Sequence, residues 1–393
     1  MSDYPLNSDI LISGAGPAGS TAAVLLAQKG YRVRLLDRCA FPRDKVCGDG
    51  IGAMVISMLH DLGLGDEIVN QPFYPMDGAK IVSPNGNQCT VHARPKEEGA
   101  LNRIWRRYDF DYLLQQHAIR CGAEFQQART LEPLMADDRV AGVKAVVDDE
   151  SLDLRSRVVI AADGVHSSIA RALRPNRQQD RHRLITLRGY LHGIETTPGL
   201  VEFHFPRAIL PGYIWIFPMG DNYANIGLGM RVDHYRRSRE SLRSLLDNFL
   251  QKQSIRERLH PNWKIEELGG SDMNMASQKK VQRSFDGALL IGDAGAWVDP
   301  LTGGGICNAM ISAHIAAEVI DQALQRGDSS RRALIEYERI CADRILKEVR
   351  RSYRLQRLFT SVPSVLNSMA YIGSHTGLLS RFANRLYTDL EFS

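Results

Sequence analysis

An apolar strand over residues 10–13 runs into Gly14-Ala15-Gly16-Pro17-Ala18-Gly19, and a helical segment follows over residues 20–28. A GxGxxG in that setting commits the start of the chain to a strand–turn–helix unit in which each glycine has its own task. Gly14 permits a tight turn, Gly16 leaves bare the backbone that a pyrophosphate must approach, and Gly19 lets helix and strand pack closely. The helix N-terminus then faces the anion. A second strand over residues 32–36 ends in Asp37-Arg38, and Asp37 stands close to the spacing of about 20 residues expected for an acid that holds a ribose 2′-hydroxyl. Gly14, Gly16, Ala18, Gly19, Asp37 and Arg38 are therefore expected at a dinucleotide.

Composition narrows the remaining classes. The 393 residues, 44% hydrophobic and 24% charged, suffice for two domains with well-buried cores. A net charge of +4 with arginines scattered among acids gives no basic footprint, which sets nucleic acid aside. Asp3 and Asp9 replace the positive start of a signal peptide, so a cytoplasmic protein is expected. No apolar run reaches the 18 or so residues needed to cross a bilayer, so any membrane contact is peripheral. The six cysteines are widely spread and form no CxxC pair, which argues against a metal site or iron–sulfur cluster and for reduced thiols.

Along the chain, residues 38–50 read as a long loop before a helix over 53–62, and long ordered loops usually have a function. Residues 79–82 and 89–92 form a hairpin around Pro84-Asn85-Gly86-Asn87. Residues 107–120 are helical, with Arg103, Arg106 and Arg107 gathered near the start; that placement opposes the helix dipole and suits either an anion or a solvated cluster. A hairpin over 140–154 precedes a buried strand over 157–162. From about residue 183 to 270 the strands lengthen and gain aromatics, at 184–192, 200–205, 213–218 and 222–230, with a helix over 239–251. This is the texture of a largely antiparallel sheet inserted into the first domain. A buried strand over 288–291, a long helix from Gly305 and a charged helix over 331–351 return to the first unit. Leu355, Leu358, Phe359, Val362, Leu366 and Met369, interrupted at Pro363, then continue at helical spacing into Leu378, Leu379, Phe382 and Leu386. Such a tail covers a pocket, lies on a membrane or docks on the core. The expected division is 1–75, 100–175 and 280–350 for a Rossmann-type cofactor domain of α/β class, 76–99 and 176–279 for a substrate domain, and 351–393 for a C-terminal helical region.

Three glycine-rich segments, Gly14 to Gly19, Asp163-Gly164, and Gly292-Asp293 with Gly303-Gly304-Gly305, each follow an apolar strand and so meet at one sheet edge. A small nucleotide does not need three; FAD does. Asp293 is expected to hold ribityl hydroxyls, and Gly303 to Gly305, at a helix start, to face the flavin edge and stabilise the anionic reduced ring.

At this point the chain resembles, over nearly its whole length, the para-hydroxybenzoate hydroxylase-like flavoproteins. Ala162-Asp163-Gly164-Val165 resembles their DG segment, and Leu290-Ile291-Gly292-Asp293-Ala294 through Pro300 resembles their GD segment. Arg107 in Arg107-Tyr108-Asp109-Phe110-Asp111 matches an RxxFD pattern whose arginine lies on the cofactor. Within that superfamily, Cys47-Gly48-Asp49-Gly50 and Tyr213-Ile214-Trp215-Ile216-Phe217-Pro218, running on to Gly227-Leu228-Gly229, are similar to the geranylgeranyl reductase family. There the first stretch carries a cysteine beside the flavin and the second lines a prenyl pocket. Flavin-dependent halogenases, the related alternative, carry a GES segment in the loop and an isoleucine where this chain has Phe217.

The resemblance implies an FAD-dependent oxidoreductase that reduces carbon–carbon double bonds of a hydrophobic or prenylated small molecule or lipid, with a monooxygenase or halogenase as the alternative. The electron donor is NAD(P)H or a reduced carrier protein; no second GxGxxG is present. From the residues themselves, Tyr213, Trp215 and Phe217 alternate along one strand and share a face, either a substrate wall or a core-facing row. Cys47 reads either as a small buried hydrophobe or as a thiol acidified by Arg43 and Lys45 for proton transfer. Lys80, in the position to tempt a halogenase reading, sits in a strand and reads as a surface lysine.

Overall fold

The computed structural model describes residues 8–92, 102–174 and 178–376. Its first sheet runs Ser284–Phe285, Ala288–Leu290, Glu150–Ala161, Ser8–Ser13, Val33–Asp37, Glu124–Gln127. The last five of these are parallel, with Ile10 opposite both Val158 and Val33 and Leu35 opposite Phe125. Alternation explains why its strands read as unbroken apolar runs: both faces are covered. Ile10 and Ile12 pack on helices Pro17–Gln28 and Ile306–Gln325, whereas Leu11 and Val159 face the opposite layer, with Val143 and Ala145.

That opposite layer is a meander of Arg129–Ala136, Arg139–Val147 and Glu150–Ala161. Its last strand, 12 residues long, continues into the parallel sheet, so the expected hairpin arm and the expected strand at 157–162 are one element. The second sheet has seven strands in the order Leu259–Asn274, Arg183–Ile194, Tyr223–Arg231, Tyr213–Pro218, Leu200–His204, Gly78–Val82, Gln88–His92, antiparallel except where Leu200–His204 meets Gly78–Val82. Ile214, Ile216 and Ile226 send one face onto helix Leu242–Leu250, and Trp215 and Phe217 send the other toward Met76 and Ile104. A small sheet of Gly50–Ile51, Asn102–Ile104 and Tyr74–Met76 lies at the junction.

The 16-residue edge strand Leu259–Asn274 is not legible in the sequence, because Pro261, Gly269 and Gly270 and its half-exposed pattern hide the alternation. The charged segment 331–351 is not one helix but breaks at Ile335 and Ile345 into Arg331–Leu334, Glu336–Arg344 and Leu346–Ser361. The bends let Leu334, Tyr337, Cys341, Ile345 and Val349 all join one core. After Val362 a new helix, Pro363–Thr376, starts on its proline, as fits a residue lacking an N–H to donate. It docks on the hairpin through Ala370 against Cys89 and Val91, and Asn85 N–H donates to Asn367 Oδ1 at 3.2 Å. Leu378, Leu379, Phe382 and Leu386 lie outside the described residues. Among the described residues no helix is long and apolar enough to cross a membrane.

Candidate active site

The glycine motif takes the shape its spacing implies. Gly14 has φ of 103°, and a Cβ there would lie 2.4 Å from Ala162 O; one on Gly19 would lie 1.8 Å from Gly14 O. Neither position admits a side chain. Around Gly16 the situation differs: the nearest atom to a built Cβ is Arg43 Nη2 at 3.7 Å, so the backbone at the start of helix Pro17–Gln28 is bare on that side. Ala18 is small for a different reason, since a Cβ on Gly292 would already approach the Ala18 Cβ to 3.0 Å. Asp37 Oδ2 accepts the Ala15 N–H at 2.9 Å and Oδ1 accepts that of Cys39 at 3.0 Å, which fixes the acid at the mouth of the turn with Arg38 exposed beside it.

Arg43 is the residue the sequence undervalues. Its Nη1 donates to Asp111 Oδ2 at 2.6 Å, and Arg107 grips the same carboxylate with Nε at 2.6 Å and Nη2 at 2.7 Å. Asp111 is fully buried; burial alone would raise its pKa, but the two guanidiniums hold it below the ordinary value. The carboxylate one helical turn along thus answers part of the cation cluster at this helix start. Arg43 Nη2 also lies 4.0 Å from Asp37 Oδ2, so the guanidinium beside the bare Gly16 backbone is held between two carboxylates. Arg106 is taken up elsewhere, by Glu267 at 3.1 Å and the face of Tyr190.

Cys47 is half-buried beside Arg107. Burial pushes its thiol up, and the Arg107 guanidinium, which pulls it down, does not prevail. Acidification by Arg43 and Lys45 therefore does not describe this thiol: it stays protonated at neutral pH. The next residues are pinned to the second sheet. Asn225 Nδ2 donates to Cys47 O at 2.9 Å and to Asp49 Oδ2 at 2.8 Å, Tyr190 Oη donates to the same Asp49 oxygen at 2.7 Å, and Trp215 Nε1 donates to Asn225 Oδ1 at 2.8 Å. Asp49 itself sits at φ of 61°, and burial pushes its pKa up to about 6 against the pull of Tyr190 and Arg188. Gly48 lies flat on the aromatic row, where an added Cβ would meet Phe217 Cε2 at 3.2 Å and Trp215 Nε1 at 3.5 Å.

At the other end of the row, Tyr213 Oη donates to Thr302 O and lies 3.4 Å from where a Gly303 Cβ would be. Tyr213, Trp215 and Phe217 thus run between the Gly303 turn and Gly48, a span of about 13 Å for four strand residues. Trp215 and Phe217 are 7% and 9% exposed, so the Cys47–Asp49 loop and neighbouring side chains cover much of this face. Lys80 pairs in register with Glu202, which sits opposite Ile216 on the helix-covered face; it points away from the aromatic row.

The two later motifs close the cleft. Asp163 is half-buried with its Oδ1 shielded from solvent, burial pushes its pKa up to about 6, and that oxygen has no hydrogen-bond partner among the described residues; Gly164 follows at φ of 79°. Asp293 is raised by burial while Lys45 and Arg107 pull it down, so carboxylate, ammonium, guanidinium and the Cys47 thiol converge. Asp299 Oδ1 accepts the N–H groups of Leu301 and Thr302, both at 2.9 Å, and shapes the turn after Pro300, whose carbonyl accepts from Gln356. Gly303 N–H and Gly304 N–H are spent inside that turn, on Asp299 O and Thr302 Oγ1. The donors offered to a flavin edge are therefore the first-turn amides of helix Ile306–Gln325, behind its Gly305 cap.

These features fit FAD: a glycine cradle that a Cβ would fill, a guanidinium beside it, and a buried acid oxygen left without a partner among the described residues. The FAD binding domain family matches residues 7–352. A digeranylgeranylglycerophospholipid reductase of Methanosarcina acetivorans is 32% identical over 338 residues, covering 84% of this chain and 79% of its own. A geranylgeranyl bacteriochlorophyll reductase-like protein from Thermoplasma acidophilum superposes with a TM-score of 0.84 at 25% identity, covering 94% of this chain and 92% of that one. A flavin-dependent brominase shares the fold at a TM-score of 0.79 and 20% identity, over 98% of this chain and 94% of that one. With the cofactor cleft, the Cys-Gly-Asp loop and the aromatic strand placed as described, the chain belongs to the geranylgeranyl reductase family of FAD-dependent oxidoreductases.

Proposed function

We propose that this protein reduces carbon–carbon double bonds in the isoprenoid chains of a lipid, with Cys47 as the proton donor. The observation that carries the reading is that Cys47 stands beside Arg107, with burial pushing its thiol up, while the next residue, Gly48, lies against Trp215 and Phe217. Gly14, Gly16, Ala18, Gly19, Asp37 and Arg38 would hold the adenosine and pyrophosphate, with Arg43 and Arg107 beside them, and Asp163, Gly164, Asp293, Pro300 and Gly303 to Gly305 the ribityl and ring. When bound and reduced, FAD supplies a hydride to one alkene carbon.

The chain's own part is the second hydrogen. Cys47 holds a proton at Sγ and gives it to the neighbouring carbon, so hydride and proton together complete one saturated bond. Arg107 beside Sγ stabilises the thiolate left behind, and a proton from solvent restores the thiol. Gly48 brings the loop against the ring without a side chain in the way. Tyr213, Trp215 and Phe217 offer hydrocarbon contact along the path between the Gly303 turn and Cys47. Residues 1–75, 100–175 and 280–350 are the cofactor unit in this reading, 76–99 and 176–279 the substrate unit, and 351–393 a helical appendage.

The sequence similarity to a lipid reductase, together with the orientation of Lys80 away from the aromatic row, favours reduction over halogenation. NAD(P)H or a reduced carrier protein would refill the flavin; one dinucleotide motif in the sequence suits the carrier. A cytoplasmic protein that meets its lipid at the membrane surface accords with this chemistry. The test is anaerobic: FAD-loaded protein reduced with dithionite is given a geranylgeranylated glycerophospholipid, and the product is weighed by mass spectrometry. Two hydrogens gained per double bond without oxygen are expected. A product that forms only with oxygen, carrying oxygen or halogen, overturns the reading.

A further inference from the structure

Away from the cofactor cleft, a cavity of about 360 Å³ opens between the inserted sheet and helix Leu346–Ser361. Arg181, Lys279 and Arg357 stand around it, with His182, Gln278 and Tyr353 in its wall and no acid among the lining residues. None of the three cations has an ion-pair partner among the described residues. The nearest acid in sequence, Asp180, is already engaged by Arg183 at 3.4 Å and Arg236 at 2.5 Å. Three like charges gathered without a counter-charge repel one another and are tolerated most easily where an anion visits.

The walls are ordered by their own bonds. His182 Nδ1 and Ser277 Oγ are 2.8 Å apart, the His182 ring lies 5.5 Å from that of Tyr353, and Gln179 N–H donates to Gln278 Oε1 at 2.9 Å. Burial, then Arg181 and Arg231, hold the His182 pKa down at about 4, which reports a positive field at a neutral imidazole. The cavity is also close to the chemistry. Met275 N–H donates to His182 O, and Ala276 N–H to Val298 O, so the segment forming the floor is bonded on to the residues just before Asp299-Pro300.

The geometry points to a phosphate site: the cavity formed by Arg181, Lys279 and Arg357 takes a phosphate ester, carried by a lipid headgroup or by a soluble phosphate. Guanidinium groups and an ammonium are suited to this anion, and the arginines can bind it through paired N–H donors. This assignment does not depend on the alkene chemistry and is read without turnover.

FAD-loaded protein is titrated with inorganic diphosphate, and separately sedimented with vesicles of phosphatidylcholine containing phosphatidic acid. The variant Arg181→Gln/Lys279→Gln/Arg357→Gln should lose at least about tenfold in diphosphate affinity, with unchanged FAD content. Arg350→Gln/Arg354→Gln, on the same helix but outside the cavity, should bind as the wild type. Diphosphate binding without vesicle retention supports a soluble phosphate; retention that needs phosphatidic acid and all three cations supports a lipid headgroup. Equal diphosphate affinity in the triple variant, or an equal loss in the Arg350/Arg354 control, overturns the site.

Discussion

Asp111→Asn isolates the electrostatics of the cofactor cleft. The wild-type carboxylate is 0% exposed and accepts three charge-assisted bonds of 2.6 to 2.7 Å from Arg43 and Arg107, whose side chains are 16% and 9% exposed. An amide keeps the shape but cannot neutralise either guanidinium, and breaking a buried pair by removing one partner costs about 3–5 kcal/mol. Because Arg43 faces the bare Gly16 backbone, a bound pyrophosphate would return some of the lost compensation. Urea unfolding at neutral pH should therefore show a loss of about 3–5 kcal/mol without FAD and a smaller one with saturating FAD. Asp111 is held below the ordinary 3.8, so its contribution is full above pH 3.8 and fades as pH falls through the folded value; wild type and variant should converge in acid. A loss below about 1 kcal/mol, or one that FAD does not reduce, would refute the triad as a pyrophosphate-facing charge reserve.

Cys47→Ala should slow alkene reduction by about 10²- to 10⁴-fold with FAD content unchanged, and a loss under about tenfold in stopped-flow flavin oxidation would reduce Cys47 to packing. Gly16→Val should abolish FAD binding, read as flavin released per protein on denaturation, because a branched side chain would fill the space below Arg43 Nη2; full occupancy would refute the cradle. Asp49, raised by burial from 3.8 to about 6, keeps its proton in the folded protein at pH values where the unfolded chain has lost it. Its contribution is therefore full below about pH 4 and lost as pH rises through 6, by up to about 3 kcal/mol. Asp49→Asn, which cannot ionise, should gain about 2 kcal/mol on the wild type between pH 4.5 and pH 7.5, since part of the loss is already complete at pH 4.5, and parallel urea midpoints at the two pH values would count against it.

The cofactor fold is legible because its signals are local. Gly19 is demanded by the Gly14 carbonyl within one strand–turn–helix unit, Gly14 by its own positive φ as well as by the neighbouring strand end at Ala162, and the strands at Ile10, Val158 and Leu289 announce themselves by being apolar on both faces. The same locality explains the failures. Leu259–Asn274 is an edge strand whose pairing with Arg183–Ile194 is interrupted by register shifts, so no strict period is imposed on its side chains. Within 331–351 the sequence carries continuous helical propensity, and only the need to bury Leu334, Cys341 and Val349 together bends it.

The loop from Arg38 to Gly50 marks the limit most clearly, since beyond Arg43 over the Phe41 ring the bonds that shape it come mostly from distant parts of the chain. Arg43 is fixed by Asp111, Asp44 by the fully buried Arg188 at 2.6 Å, Cys47 O by Asn225, and Asp49 by Tyr190 and Asn225. Those partners lie in helix Arg107–Arg120 and in two strands of the seven-stranded sheet, between 68 and 178 residues away. A loop tied at one end to the cofactor side and at the other to the aromatic strand cannot shift at either without moving Cys47 between them. The position of the thiol is thus set jointly from the side of each large sheet, which is why an aperiodic stretch, unremarkable except for its glycines and charges, carries the residue on which the proposed proton transfer depends.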